Sequence, residues 1–409
     1  MRVLFAGAPG FGHLFPLVPL ARAMRQLGHE VAVTSMDGGE PVAGSGLPYL
    51  PLAPGIDWRK EIREAGRTRR PDLMRRVIET NSADREAFVP LAAHVNSRVA
   101  DAMVELATRW RPDLVVYEYQ FPVALLAAAR LGVPAVQHDL GFVRTPKLRA
   151  LMLAEMADTF ARHGIDRLPE PADTIDLAPP SMAGGERYGC SLRPVAYNGE
   201  GGVPEPLATP ADRPRVAVTL GTVPPKTDGL TRLERVIAAA ADLDAEFVLA
   251  TGELDLGTLG TLPDNVRAYG WVPWRALLDT CTAVIHHGGS SSALGALDAG
   301  VPQLVLPDGS DRFITADAVR ERGAGLSAGA EEIGPELLRR LLTDDALARA
   351  AREVSAEIAA MPSPAAVAER LTAMAGAART AGTARTAGTA RTAGTASTAG
   401  AAPTARAAG

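Results

Sequence analysis

The run HHGGSSSALGALDAG, residues 286–300, carries groups suited to holding an anion. A short apolar stretch delivers two glycines, then Ser290, Ser291 and Ser292, to the mouth of a helical segment. Free backbone N–H groups and the positive end of a helix dipole bind phosphate at such a place. His287 can donate a hydrogen bond to a phosphate oxygen, and the three hydroxyls can donate more. The plainer reading of the same residues is a glycine turn capped by serine. A second candidate lies near the start. His13, in GFGHLFP, directly follows an apolar strand-like run. An imidazole ionises near working pH and suits a general base. Otherwise a lone histidine at a helix start caps or packs. Glu118 closes PDLVVYE and should project at the same edge, where a carboxylate can orient a histidine and stabilise its cation. The alternative for Glu118 is a solvated strand end. His138, ending the next strand, is placed to line an acceptor cleft, whereas His29, His94 and His163 read as surface or packing residues.

These residues need a scaffold that brings strand ends together. RVLFAGA (2–8) reads as a buried parallel strand, Pro16–Leu27 as a helix and GHEVAVTS (28–35) as a second strand. Strand, glycine loop, helix, strand is a βα unit of a doubly wound sheet. The pattern recurs through PDLVVYE (112–118), VALLAAARLG (123–132) and VPAVQHD (133–139). A second round opens with VAVTLGT (216–222), then a helix at 230–243 and strands at 245–252, 265–272, 282–289 and 301–307, with a helix at 291–300 between the last two. The expectation is α/β, with two Rossmann-like domains: 1–205 and 206–351. The Gly/Pro-rich stretch 198–214 is the linker between them. Residues 352–375 should form a helix broken near Pro362. The tail from 376 to 409, with RTAGTA at 379, 385 and 391, has no large apolar residue and should be disordered.

Composition narrows the partners. The chain has 409 residues, more than one ordinary domain needs. With 42 basic and 47 acidic residues the net charge is −5, which argues against a general nucleic-acid surface. The Arg-rich run 59–76 is interleaved with acids and lacks aromatics, so it reads as a solvated helix-loop. Two cysteines, Cys190 and Cys281, exclude a disulfide scaffold, and no histidine spacing suggests a metal site. The N-terminus is not a signal peptide and no stretch is long and apolar enough for a membrane span, so a cytoplasmic location is expected.

The segment 286–325, with Gly270-Trp271-Val272-Pro273 before it and GFGHLFPLVPLARAMRQLGHEV (10–31) in the other half, resembles the GT-B glycosyltransferases that use nucleotide sugars. The likeness covers residues 1–375. It is closest in look to erythromycin- and calicheamicin-type enzymes that attach deoxysugars to natural products, the enediyne glycosyltransferases among them. The resemblance implies two parallel sheets facing across a cleft, with acceptor bound by the first domain and donor by the second. It places the donor phosphates on His287, Gly288, Gly289 and Ser292, and sets Gly221 and Thr222 facing the diphosphate; a plain strand–helix cap is their other reading. Trp271 offers a flat face for the nucleobase, with the Val272 backbone at its edge. The family's acidic-Gln pair for sugar hydroxyls reads Asp311-Arg312 here, so the Gln contact is lost. Trp274 stands where relatives have Gln, and no role follows for it. Plant-type UDP-sugar enzymes carry a ribose-binding Glu where this chain has Gly295, which fits a 2′-deoxyribose donor; close helix packing also suits glycine there.

The family's base is the histidine that aligns with His13, and Glu118 is its expected partner. The implied reaction is inverting transfer of a deoxysugar from a dTDP-sugar to a hydrophobic small-molecule aglycone. No metal or other cofactor is expected, and no nucleic acid or membrane partner; a homodimer is the oligomeric option. Two alternatives share the fold: a nucleotide-sugar 2-epimerase, which needs carboxylates around the sugar ring, and a non-catalytic nucleotide-sugar-binding paralogue.

Overall fold

The computed structural model describes residues 1–36, 39–184, 188–209, 211–221, 230–252, 254 and 256–395. Two sheets organise them, and every strand pairing is parallel. The first contains β1 (Arg2–Ala6), β2 (Glu30–Ser35), β3 (Tyr49–Pro51), β4 (Leu114–Glu118), β5 (Ala135–His138), β6 (Asp173–Asp176) and β7 (Cys190–Ser191). Its spatial order is β3-β2-β1-β4-β5-β6-β7. The second contains β8 (Arg215–Thr219), β9 (Glu246–Ala250), β10 (Val266–Tyr269), β11 (Ala283–His286), β12 (Gln303–Val305) and β13 (Gly325–Ser327), ordered β10-β9-β8-β11-β12-β13.

Helices cover both faces of each sheet, so the inner strands are apolar almost throughout. Val3, Leu4, Phe5 and Ala6 are all fully buried, as are Val115, Val116 and Tyr117. In each sheet the winding reverses once, between β1 and β4 and between β8 and β11. Loops leaving the two strands there diverge and open a crevice at their carboxyl ends. His13 and Glu118 belong to the first crevice, Gly221 and His287 to the second. The two crevices face each other. Phe11, after β1, meets Trp271, after β10. Gly141, after β5, abuts Ser290, after β11. Arg85 reaches Ser310, after β12.

The short strands β3, β6, β7 and β13 were not anticipated from sequence. Each has two to four residues, too few to show a pattern. The Arg-rich run folds into helices Trp58–Thr68 and Pro71–Glu79. Arg76 pairs with Asp84, and Glu61 on the same run with Arg98.

Beyond the second sheet, the Asp345–Ala360 helix lies on the Ser290–Asp298 helix, with Ser355 Oγ donating to the Asp298 carbonyl at 2.8 Å. The chain breaks at Met361–Ser363, where Pro362 cannot continue the ladder. A second helix, Pro364–Thr395, then packs on the Val18–Gln26 helix of the first domain. Val367, Ala368, Leu371 and Ala375 are buried there. Each of the two larger side chains contributes on the order of 1.5–3 kcal/mol relative to exposure. Thr372 Oγ1 lies 2.8 Å from His29 Nε2, and Arg370 pairs with Asp173 at 2.7 Å. One expectation needs correcting. The helix does not stop at 376 but continues to Thr395. Alanine and arginine in the repeat favour a helix, but threonine and glycine oppose it, and nothing large and apolar is present to anchor it. Residues 396–409 lie outside the described residues.

Candidate active site

β1 ends at Ala6, and Gly10, at φ 119°, turns the chain into a short helix, Phe11–Leu14. That backbone angle favours glycine. His13 and Leu14 both bond their N–H to the Gly10 carbonyl, and no side chain caps the turn. His13 is therefore not a cap. Its side chain is 28% exposed, and Nδ1 lies 3.3 Å from Oε2 of fully buried Glu118. The contact is an ion-pair distance without hydrogen-bond alignment. Burial disfavours the imidazolium, but the facing Glu118 carboxylate outweighs it and raises the His13 pKa above its ordinary value. Asp311, from the other domain, acts in the same direction, and Arg85 opposes it. Glu118 is itself fixed: Oε1 accepts from the Gln120 N–H at 2.9 Å and Oε2 from the Ala8 N–H at 3.5 Å. It is not a solvated strand end.

His138 sits beside Glu118 in register but is fully buried. It does not line an open cleft. Nδ1 lies 2.7 Å from the Asp139 carbonyl, and burial takes its pKa down to about 4. Facing inward at a strand end, it belongs to the core of the first domain.

On the second domain, Gly289 is the N-cap of the Ser290–Asp298 helix, with no side-chain cap bond. No side chain caps the first N–H groups of that helix; the serine-cap alternative does not hold. Ser290 packs against Gly141, where an added Cβ would stand 2.5 Å from Ser290 Cβ. Ser291 faces a narrow crevice with Phe15, Tyr197 and Leu294. The His287 ring lies between two glycines. A Cβ on Gly221 would come within 2.5 Å of its Cε1, and one on Gly289 within 2.7 Å of its Nε2. Gly221 also has φ 68°. Burial, then the Arg312 cation and His286, hold the His287 pKa well below its ordinary value. Thr222 lies outside the described residues.

Sequence reasoning passed over His286. It is buried, accepts from the Gly288 N–H through Nδ1 at 3.0 Å and meets Gln303 Oε1 through Nε2 at 2.6 Å. This bond, with φ 93° at Gly288, shapes the turn. The only signal was the doubled histidine. Arg312 is held by a carboxylate of its own domain. It pairs with buried Asp308, and its Cβ would be 2.9 Å from a Cβ on Gly288. Asp311 makes no capping bond.

Trp271 is 42% exposed, so it is not a core tryptophan. Its ring centroid is 5.5 Å from that of Phe11 and 6.3 Å from that of Phe15. Val272 is buried, and its carbonyl already accepts from Asn198 Nδ2 at 2.9 Å. Asn198 Oδ1 takes the Trp274 N–H at 2.9 Å. The start of the linker thus holds the Trp271–Trp274 turn, a role no local pattern announces. Gly295 lies under Trp274: a Cβ would be 3.0 Å from Cδ1. Packing alone accounts for this glycine. Among the described residues no three His, Cys, Asp or Glu side chains gather to hold a metal, and no helix is long and apolar enough to cross a membrane.

Two family models match most of the chain: the N-terminal domain of the erythromycin biosynthesis protein CIII-like family over residues 22–221, and its C-terminal domain over 234–374. The elloramycin glycosyltransferase of Streptomyces olivaceus is 38% identical, over 91% of this chain and 97% of its own length. The glycosyltransferase SnogD from Streptomyces nogalater has a similar structure, with TM-score 0.78 and 38% identity over 92% of this chain and 99% of that one. The spinosyn rhamnosyltransferase SpnG, solved with thymidine diphosphate and with spinosyn aglycone, matches with TM-score 0.79 and 29% identity over 91% of this chain and 100% of its own. The narrower likeness to enediyne enzymes rests on the sequence phrases alone. Two facing parallel-sheet domains, family models over both, and full-length relatives of one activity agree: the chain is a GT-B glycosyltransferase of the erythromycin CIII-like family.

Proposed function

We propose that the enzyme moves a deoxysugar from a dTDP-sugar to a hydrophobic natural-product aglycone, inverting the anomeric configuration, with His13 as general base. The observation that carries this is the placement of His13. It pairs with Glu118 on the first domain and feels Asp311 on the second. The anomeric carbon, held near Asp311, then has the base on one side and the uncapped helix N-terminus at 290–292 on the other. His13 takes the proton from the acceptor nucleophile as its electron pair forms the new glycosidic bond. The bond to the diphosphate breaks, and its electrons pass to a phosphate oxygen. The N–H groups at 290–292, the helix dipole and a neutral His287 meet that charge, with no metal required. Trp271 presents its exposed face to the thymine. The dTDP assignment draws on the relatives solved with thymidine diphosphate, since Gly295 has a packing reason of its own.

The test is His13→Ala, assayed on a dTDP-deoxysugar with anthracycline- and macrolide-type aglycones and with the product anomer read by NMR. Turnover should fall roughly 10²–10⁴-fold, with dTDP affinity nearly unchanged and no effect of a chelator on the parent. Near-parental turnover would remove His13 from catalysis. Retained configuration would discard the single displacement.

A further inference from the structure

Arg85 opens the Arg85–Arg98 helix of the first domain and extends into the space between the two crevices. Its Nη1 donates to Ser310 Oγ at 2.9 Å, across the domain boundary. Its Nη2 donates to the Tyr119 hydroxyl, and the guanidinium carbon is 6.0 Å from the centre of that ring. Tyr119 adjoins Glu118. Gln120 closes the path, with its side chain donating to the Tyr119 hydroxyl at 2.9 Å and its backbone N–H to Glu118 Oε1 at 2.9 Å. On the other side, Ser310 has φ 54° and bonds its N–H to the Asn81 carbonyl at 2.9 Å. Asn81, four residues before Arg85, is itself at φ 46°. Both are left-handed backbones at non-glycine residues, conformations kept only where surroundings enforce them. The next residue is Asp311, whose carboxylate is left out of the helix cap.

We propose that Arg85 is a positioning residue for glycosyl transfer, joining the His13–Glu118 pair to the Ser310–Asp311 loop so that base and sugar-holding carboxylate are set together. This rests on the transfer reading above. Arg85 acts on both ends. Through Ser310 it fixes the loop that presents Asp311 to the sugar. Its charge also offsets the pull of Glu118 and Asp311 on the His13 proton; among the described residues these three are the charged groups that face His13, from β4, the 308–311 loop and the Arg85–Arg98 helix. With two carboxylates and no cation, His13 would hold its proton to higher pH and be a poorer base at neutrality.

The experiment uses full-length protein with histidine labelled at Cε1. The His13 signal is identified by its loss in His13→Ala and titrated by NMR in the parent, Arg85→Lys, Arg85→Met and Ser310→Ala. In parallel, calorimetry compares dTDP with dTDP-glucose. In Arg85→Met the His13 titration should move to higher pH. Affinity for dTDP should stay within about twofold, while the dTDP-glucose preference drops roughly two- to tenfold, the scale of one hydrogen bond. Ser310→Ala should lose the sugar preference with His13 titrating as in the parent. Arg85→Lys should keep the titration and lose part of the preference, which carries the test should Arg85→Met fail to fold. An unmoved His13 titration in Arg85→Met, or an unmoved sugar preference in every variant, overturns the assignment. A parent that binds neither nucleotide would instead undo the donor reading, with the His13 titration still decisive for Arg85.

Discussion

His13 and His287 each follow a strand that flanks the winding reversal of its sheet, His13 after β1 and His287 after β11. Burial bears on both. Their charge tendencies are nevertheless opposite. His13 faces a carboxylate and is drawn toward the cation; His287 faces the Arg312 guanidinium and a second imidazole and is kept neutral. Position in the fold brings a histidine to the cleft. The neighbour it meets there decides whether it handles protons or donates a hydrogen bond to an anion.

His287→Ala tests the neutral side of this contrast and should have a larger effect than substitution of Glu118 or Gly221. Calorimetry should show dTDP binding weakened by about 1.5–3 kcal/mol, the scale of a hydrogen bond to a charged group. A loss felt in turnover but not in dTDP affinity would blur the distinction between the two histidines. Glu118→Gln tests the charged side. The rate on the pH plateau should drop roughly tenfold, because the imidazolium formed on attack loses its partner. The acidic limb of kcat/KM should move to lower pH: the carboxylate raises the His13 pKa, so removing it leaves the base neutral further into acid. A limb that stays, or moves up, would show that Glu118 does not set this ionisation. Gly221→Ala sharpens the packing side. A methyl at φ 68° against the His287 ring should lower stability by about 1–2 kcal/mol, read by denaturant unfolding. It should also weaken dTDP binding by displacing the ring. An unaffected ring would mean the glycine serves the turn alone.

The contrast also marks what the sequence made legible. The placement of His13, Glu118 and the 287–292 turn at the cleft was readable because each lies at or after the end of a strand with a strong apolar run, where doubly wound sheets bind ligands. His138 satisfies the same rule, but the strand end that places it beside Glu118 leaves it fully buried. Asn198, Gln303 and Arg85 left no local trace. Each acts on residues far along the chain: Asn198 on Val272, Gln303 on His286 from the next strand, Arg85 on Ser310 from the other domain. Arg312 was legible as a departure from the family's Gln but not in its consequence, since its pairing with Asp308 needs the 308–311 loop to fold back on the first turn of the helix.

The two domains are tied to each other twice, by the chain leaving β7 and by the chain returning at Met361–Ser363 to the first domain. One tether leaves two bodies free to swing and twist about a point. Two tethers leave a single rotation, about the line that joins them. Any opening of the cleft would then be the swing of a door on two hinges. Closure from such a swing would bring Trp271 back to Phe11, and Ser310 back to Arg85, along the same arc. Cutting the chain after residue 361 would leave one hinge, and the parts of the site carried by the two domains would no longer share a fixed axis.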